Sequence, residues 1–451
     1  MYDGIGRMSG RNKLSSPTNS PSRDEARGFV ESQKRKTLRI LAANDGVMSG
    51  KLATHLRDLL HDKHACHFKS ALDSLAKSGG QAAGPDRIQP RDLSQSERWK
   101  LAKDLRRRIF ERKYQPGVTR TVWIPKGPGR GERKIQIQNV EDRAVQRAIL
   151  EIVQPVIDPT FDRCSFGFRP GIDRRHALAT ALAIATRDSA WVWILADIKD
   201  AFEQTNHQRL LENLESRLPV PEILEVIATV IKRRTGRGLA QGGSLSPLLL
   251  NVDLDQILDK PWRQQRDEAS LLRYADDLLI LNRDRKTADR DLSLLDRRLR
   301  ELGTPLKASP WTTILDLTTG KAADWLGFSV RRQGNELDVE TSERGWIRLD
   351  QVLEQCYDDP NPPQAALGVI QGHIYQLGPC YREDRIIPYY TKIVEIACKY
   401  DFEEIPNQDQ FHNQWLRSGE QWDSVKNMIK DQWNDKFYGG SAGQTSPLTP
   451  L

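Results

Sequence analysis

Leu271-Leu272-Arg273-Tyr274-Ala275-Asp276-Asp277-Leu278-Leu279-Ile280-Leu281 sets two adjacent acids between apolar runs. The apolar and aromatic residues on either side of the acidic pair favour β-strands, and the acids fall where a tight hairpin would turn. Two adjacent carboxylates repel one another unless a cation holds them, so the stretch reads as a metal seat on a rigid edge. A hard divalent ion such as magnesium takes one or two protein carboxylates, keeps several waters and completes its shell with substrate phosphates. A nucleotide is the natural third party. The competing reading is an ordinary acidic turn, which a bare Asp-Asp dipeptide would favour.

A second apolar run, Trp191-Val192-Trp193-Ile194-Leu195-Ala196-Asp197-Ile198, ends on another acid. Asp197 would add the third carboxylate needed to hold two ions about 3.5–4 Å apart, the clamp that activates a 3′-hydroxyl and stabilises departing pyrophosphate. The chemistry implied is nucleotidyl transfer.

The segments around these acids resemble, in order, the motifs of reverse transcriptases, most closely the group II intron-like branch. Gly84-Pro85-Asp86-Arg87-Ile88 looks like the opening motif, Ile124-Pro125-Lys126 through Glu141-Asp142-Arg143-Ala144-Val145-Gln146 like the fingers motif, and Ser165-Phe166-Gly167-Phe168-Arg169-Pro170-Gly171 follows. Asp197-Ile198-Lys199-Asp200-Ala201-Phe202 resembles the first catalytic strand, and Gln241-Gly242-Gly243-Ser244-Leu245-Ser246-Pro247-Leu248 the template and nucleotide loop. Tyr274-Ala275-Asp276-Asp277 resembles the second catalytic element, and Trp325-Leu326-Gly327-Phe328 the strand closing the palm. The resemblance covers residues 81–335, with a weaker echo in Gly372-His373-Ile374-Tyr375. It implies an α+β right-hand polymerase, with fingers, a palm built on an antiparallel sheet, and a helical thumb.

By this resemblance Asp197, Asp276 and the backbone at Ile198 bind two magnesium ions, and Asp277 completes the acidic cluster. Phe202 matches the aromatic that packs under the sugar and leaves no room for a 2′-hydroxyl, so the substrates are dNTPs and the product is cDNA on an RNA template. An ordinary core aromatic is the alternative for Phe202. In the loop, Gln241 and Gly242 fall at the nucleotide, and Ser246 and Pro247 at nucleic acid. The loop's glycines suit close backbone approach before a helix beginning at Leu248, for which Ser246 could equally be the N-cap.

Trp123 through Lys134 reads as a strand, a glycine turn and a returning strand, a hairpin that would project Lys126 and Arg133 as clamps on a triphosphate. The segment Arg133-Lys134-Ile135-Gln136-Ile137-Gln138 departs from the Arg-Pro-Leu-Gly-Ile-Pro pattern of intron-encoded proteins, which bears on Arg133. Arg169 is expected on template phosphate, because an arginine outside an acidic cluster usually positions backbone. Arg233 and Arg234, in Lys232-Arg233-Arg234-Thr235-Gly236-Arg237, extend a basic surface, as does the cluster over residues 100–108. A solvated helix face is the alternative for each cluster.

Composition agrees with a polyanionic partner: 68 Lys plus Arg against 61 Asp plus Glu gives a formal net charge of +7 in 451 residues. No apolar run is long enough to cross a bilayer and the start lacks a signal-peptide core, so a cytoplasmic protein is expected. Five cysteines, odd in number, argue against a disulfide framework. The predicted organisation is a mobile leader and basic helical extension over 1–80, fingers and palm over 81–335, a helical thumb over 336–437 and a disordered tail over 438–451. No nuclease or integrase signature follows the thumb. The expectation is a stand-alone enzyme working with a structured non-coding RNA in antiviral defence. The alternatives are a maturase-like, splicing-assistance RNA binder and an enzyme of untemplated or repair DNA synthesis.

Overall fold

The computed structural model describes residues 23–78, 80–125, 131–232, 235–265 and 271–438. Two compact units emerge, Met1–Pro155 with Val220–Val230, and Val156–Pro219 with Ile231–Leu451. The division falls inside the stretch read as fingers and palm.

In the first unit Leu52, Leu56, Leu59 and Leu60 bury one face of the helix Gly50–Leu60, as their spacing predicts, and the Leu52 amide donates to Ser49 Oγ at its start. A Ser94–Glu97 capping box opens the helix Gln95–Phe110, which carries the basic cluster of residues 100–108. Part of that charge is satisfied locally: Arg107 pairs with Asp104 and Glu111, and Arg108 with Glu141 at 2.6 Å. β1 (Arg120–Pro125) and β2 (Glu132–Ile137) form the predicted antiparallel hairpin, with Ile124 opposite Arg133. The segment opening at Gly84 is strapped to the helix Val140–Ile157, because Arg143 donates to the carbonyls of Gly80 and Ala82, and the Asp86 amide to Asn139 Oδ1.

The second unit holds the sheet that carries the site. β3 (Val192–Asp197), β4 (Leu271–Tyr274), β5 (Asp277–Asn282) and β6 (Thr313–Asp316) are antiparallel in the order β4-β5-β3-β6. Side chains alternate across a strand, so Leu279 and Leu281 join Leu272 and Trp193 in a core with Ala177, Leu178 and Ala181 of the helix Arg174–Asp188. Leu278 and Ile280 point to the other face and are equally buried. A sheet covered on both faces reads as the near-continuous apolar runs seen in the sequence. This is the expected α+β class with an antiparallel palm sheet.

One expectation is corrected. Trp325-Leu326-Gly327-Phe328 is not a strand closing that sheet; Trp325 ends β7 (Ala322–Trp325), Phe328 begins β8 (Phe328–Gln333), and β9 (Glu336–Thr341) completes a separate three-stranded sheet. Leu326 and Gly327 have φ of +52° and +84°, the two left-handed residues of a tight hairpin turn. The edge beside β3 belongs to β6.

Helices Glu343–Gln355, Pro362–Gln376, Ile386–Cys398 and Gln408–Tyr438 follow within the stretch expected as a helical thumb over 336–437, which opens on β9 and not on a helix. Trp415 is fully buried, stacks on Tyr389 with ring centroids 4.8 Å apart and donates Nε1 to the Leu377 carbonyl. No helix among the described residues is long and apolar enough to cross a membrane.

Candidate active site

The sheet register brings the acids together. Asp197, last in β3, lies directly opposite Asp277, first in β5, and residues so paired have Cα atoms about 4.5–5.5 Å apart with side chains on one face. Asp276 occupies the turn between β4 and β5, and its carbonyl accepts from the Ile198 amide at 3.0 Å. A second rung fixes the end of β3, where the Lys307 amide donates to the Asp197 carbonyl at 2.8 Å. Ala275 takes φ +60°, which reverses the chain within two residues and throws both acids to the end of the sheet.

Charge is concentrated there. Burial first, then the charges of Asp276 and Asp197, push the Asp277 carboxyl up to about 7, and Lys307 and Arg344 pull it back down. Lys307 Nζ lies 2.6 Å from Asp197 Oδ1. Among the described residues no three His, Cys, Asp or Glu side chains gather closely enough to make a ready cage for a metal ion. Magnesium does not demand one, since it binds through one or two carboxylates plus substrate phosphates. The all-oxygen donor set of Asp197, Asp276 and Asp277, and the electrostatic strain at Asp277, fit a hard divalent cation.

The other expected residues divide into those the sheet gathers and those it does not. Phe202 sits on the single-turn helix Ala201–Gln204, five residues beyond Asp197, half-buried, with its ring edge-on to Phe168 at 6.3 Å. Its carbonyl accepts from the Leu239 amide, which ties the loop holding Gln241 and Gly242 to the same place. Gln241 donates Nε2 to Glu203 Oε1 at 2.6 Å, and Gly242 is exposed at φ +109°, open for close backbone approach. Pro247 stands in the first turn of the helix Ser246–Leu254, where its missing N–H has no partner to lose.

Two expectations are overturned. Ser246 is neither an N-cap nor at an exposed nucleic-acid surface; the helix begins at Ser246, two residues before Leu248, and its N-cap is Leu245 without a side-chain bond. Ser246 is buried and its amide donates to the Gly243 carbonyl. Arg169 does not face template. Its buried guanidinium pairs with Asp158 at 3.0 Å, donates to the carbonyls of Ser165 and Asp158, and lies over Phe161. An arginine with its donors used inside the protein has little left for phosphate. Arg133 is exposed on β2 of the first unit. Lys126, Arg233 and Arg234 lie outside the described residues.

Sequence reading missed three residues. Lys307 had no motif to announce it. Phe168, exposed at φ +61°, faces Phe202 and was read only as part of a motif. Arg273 was visible as a charge inside an apolar run, which is itself a signal that a buried partner waits elsewhere.

The sequence is similar to known proteins over the stretch that carries these acids. Residues 124–330 match the family described as "Reverse transcriptase (RNA-dependent DNA polymerase)". Protein YkfC of Escherichia coli (strain K12) is 28% identical over 201 residues, covering 42% of this chain and 52% of YkfC. The group II intron-encoded protein LtrA of Lactococcus lactis subsp. cremoris is 28% identical over 156 residues, covering 32% of this chain and 25% of LtrA. The match thus spans about half of one relative and a quarter of the other. Among solved structures, telomerase from Candida albicans with a fragment of telomeric RNA aligns at TM-score 0.40 and 14% identity, over 74% of this chain and 68% of that one.

Proposed function

We propose that this chain, which carries a reverse transcriptase domain of the group II intron-like branch at residues 124–330, extends a DNA strand on an RNA template. The observation that carries the reading is the register of β3 against β5, which sets Asp197 opposite Asp277 with Asp276 in the adjoining turn. In the reaction a primer 3′-hydroxyl gives up its proton to solvent, its oxygen bonds to the α-phosphorus of a dNTP, the bond from that phosphorus to the oxygen bridging it to the β-phosphate breaks, and pyrophosphate leaves. Asp197 and Asp276, with the backbone at Ile198, would hold two magnesium ions, which supply charge to the attacking and leaving oxygens. Asp277 adds negative charge beside them, and the Phe202 ring would close the space that a 2′-hydroxyl needs. Gln241 and Gly242 would lie along the nucleotide.

The finer assignment is a dedicated, structured non-coding RNA as template and antiviral defence as the setting, in the cytoplasm. It is supported by the likeness to a group II intron-encoded protein and by the net charge of +7. Primer extension tests the core of the reading: a DNA primer on defined RNA should be extended with all four dNTPs, and the Asp276→Ala, Asp277→Ala double variant should lose at least about a thousandfold in rate. An unchanged rate in that variant would refute polymerase activity at this site. Sequencing copurified RNA tests the template, since a random mixture of cellular RNA counts against a dedicated one. A maturase-like role, favoured by the likeness to an intron-encoded protein, predicts RNA binding that survives the double variant in a chain whose wild type extends nothing.

A further inference from the structure

Arg273, third in β4, is fully buried in a strand that is otherwise apolar or aromatic. Its side-chain donors are all engaged. Nε donates to both Asp259 oxygens at 2.8 and 3.0 Å, and Nη2 to Asp259 Oδ2 at 2.5 Å and to Ser165 Oγ at 2.7 Å. Nη1 donates to Asn251 Oδ1 at 2.8 Å and to the Ala275 carbonyl at 3.1 Å. Ala275 is the left-handed residue immediately before Asp276.

The same turn is gripped from a second side. Asn251 donates Nδ2 to the Gly167 carbonyl at 2.7 Å, and Gly167 lies so close that a Cβ there would stand 2.4 Å from the Ala275 nitrogen. The Arg273 amide donates to the Cys164 carbonyl and its carbonyl accepts from Phe166, both at 2.8 Å, so the segment before Gly167 is stitched to β4. A buried ion pair is weak as a source of stability, because well-packed apolar residues of similar volume often do as well or better. Its use lies in the one geometry that satisfies it.

We infer that Arg273 is a positioning residue for the acid pair: anchored by Asp259 and aimed by Asn251 and Ser165, its guanidinium holds the left-handed Ala275 and thereby the direction in which Asp276 and Asp277 present their carboxylates. The consequence for catalysis rests on the polymerase reading above; the consequence for cation binding does not.

The test uses the full chain with Arg273→Lys, Arg273→Met and Asn251→Ala, and with Arg217→Lys as control. Arg217 makes a comparably buried pair with Asp255 at 2.6 Å, and none of its hydrogen bonds goes to the turn. Thermal melting, kcat and KM for dNTP on an RNA template, and direct binding of Mn2+ followed by electron paramagnetic resonance are measured for each. Arg273→Lys and Asn251→Ala should melt cooperatively, lose about 10- to 100-fold in kcat with KM for dNTP nearly unchanged, and bind Mn2+ about tenfold more weakly. Arg217→Lys should lower Tm and leave kcat per folded chain and Mn2+ binding alone. If Arg273→Met does not fold, Asn251→Ala carries the comparison. Unchanged kcat and Mn2+ affinity in the folded variants, or losses that merely follow Tm as in the control, would overturn the inference. A wild type that binds Mn2+ but extends no primer sinks the polymerase reading alone, and the Mn2+ shift still decides the role of Arg273.

Discussion

Replacing Asp277 with Asn should make the chelated protein more stable at pH 8, with a clearly smaller gain at pH 5. The folded chain holds the Asp277 carboxyl near 7 against an ordinary 3.8, because burial and the charges of Asp276 and Asp197 oppose its ionisation. A raised carboxyl binds its proton more tightly in the folded state, so its contribution is most favourable below about pH 4 and is lost as pH rises from there to about 7. Three pH units correspond to roughly 4 kcal/mol at about 1.4 kcal/mol each, and solvent at this half-buried position reduces that to about 2 kcal/mol. Asparagine carries no charge and escapes the penalty. Urea unfolding in EDTA at the two pH values measures the gap directly. A variant equally stable or less stable than wild type at pH 8, or a gap independent of pH, would refute the electrostatic account. Adding magnesium should narrow the difference, because a ligand of the folded state stabilises the intact acid site more.

Phe202→Ala should raise the use of rNTPs relative to dNTPs at least about tenfold, read as the ratio of kcat/KM values, because a small side chain opens space beside the sugar; unchanged selectivity would assign the ring to its packing against Phe168 alone. Arg169→Met should lower stability by about 3 kcal/mol by stranding Asp158, while the salt dependence of RNA affinity stays as in wild type. A salt slope reduced by about one would restore Arg169 to the template. Gly167→Ala should cost about 1–3 kcal/mol and slow extension, since the added methyl meets the Ala275 backbone; a variant with wild-type Tm and kcat would show that the close approach is dispensable.

The acid trio was legible because both of its parts end long apolar runs, and a charge at the end of such a run marks a strand mouth. The expected hairpin at Asp276 follows from that, whereas bringing Asp197 beside it rested on the resemblance to reverse transcriptase motifs. The turn at Leu326 and Gly327 was not legible: three apolar residues with one glycine read as strand, and nothing in a leucine announces a left-handed backbone. Arg169 misled because the acid that holds it, Asp158, is eleven residues away, across a bend that the local pattern does not show. Ser246 misled by a single residue, the N-cap falling on Leu245, since both placements put Pro247 where a proline belongs. Arg273 showed its charge but not its partners, which stand 14, 22 and 108 residues upstream.

That last spacing sets an order of assembly. Ser165, Asn251 and Asp259 all leave the ribosome before Arg273 does, and at roughly 5–20 residues per second the first of them waits about 5–20 s for the guanidinium. The socket is synthesised before the plug. A nascent chain released short of β4 would own Ser165, Asn251 and Asp259 but neither the guanidinium that compensates Asp259 nor the hairpin that it holds.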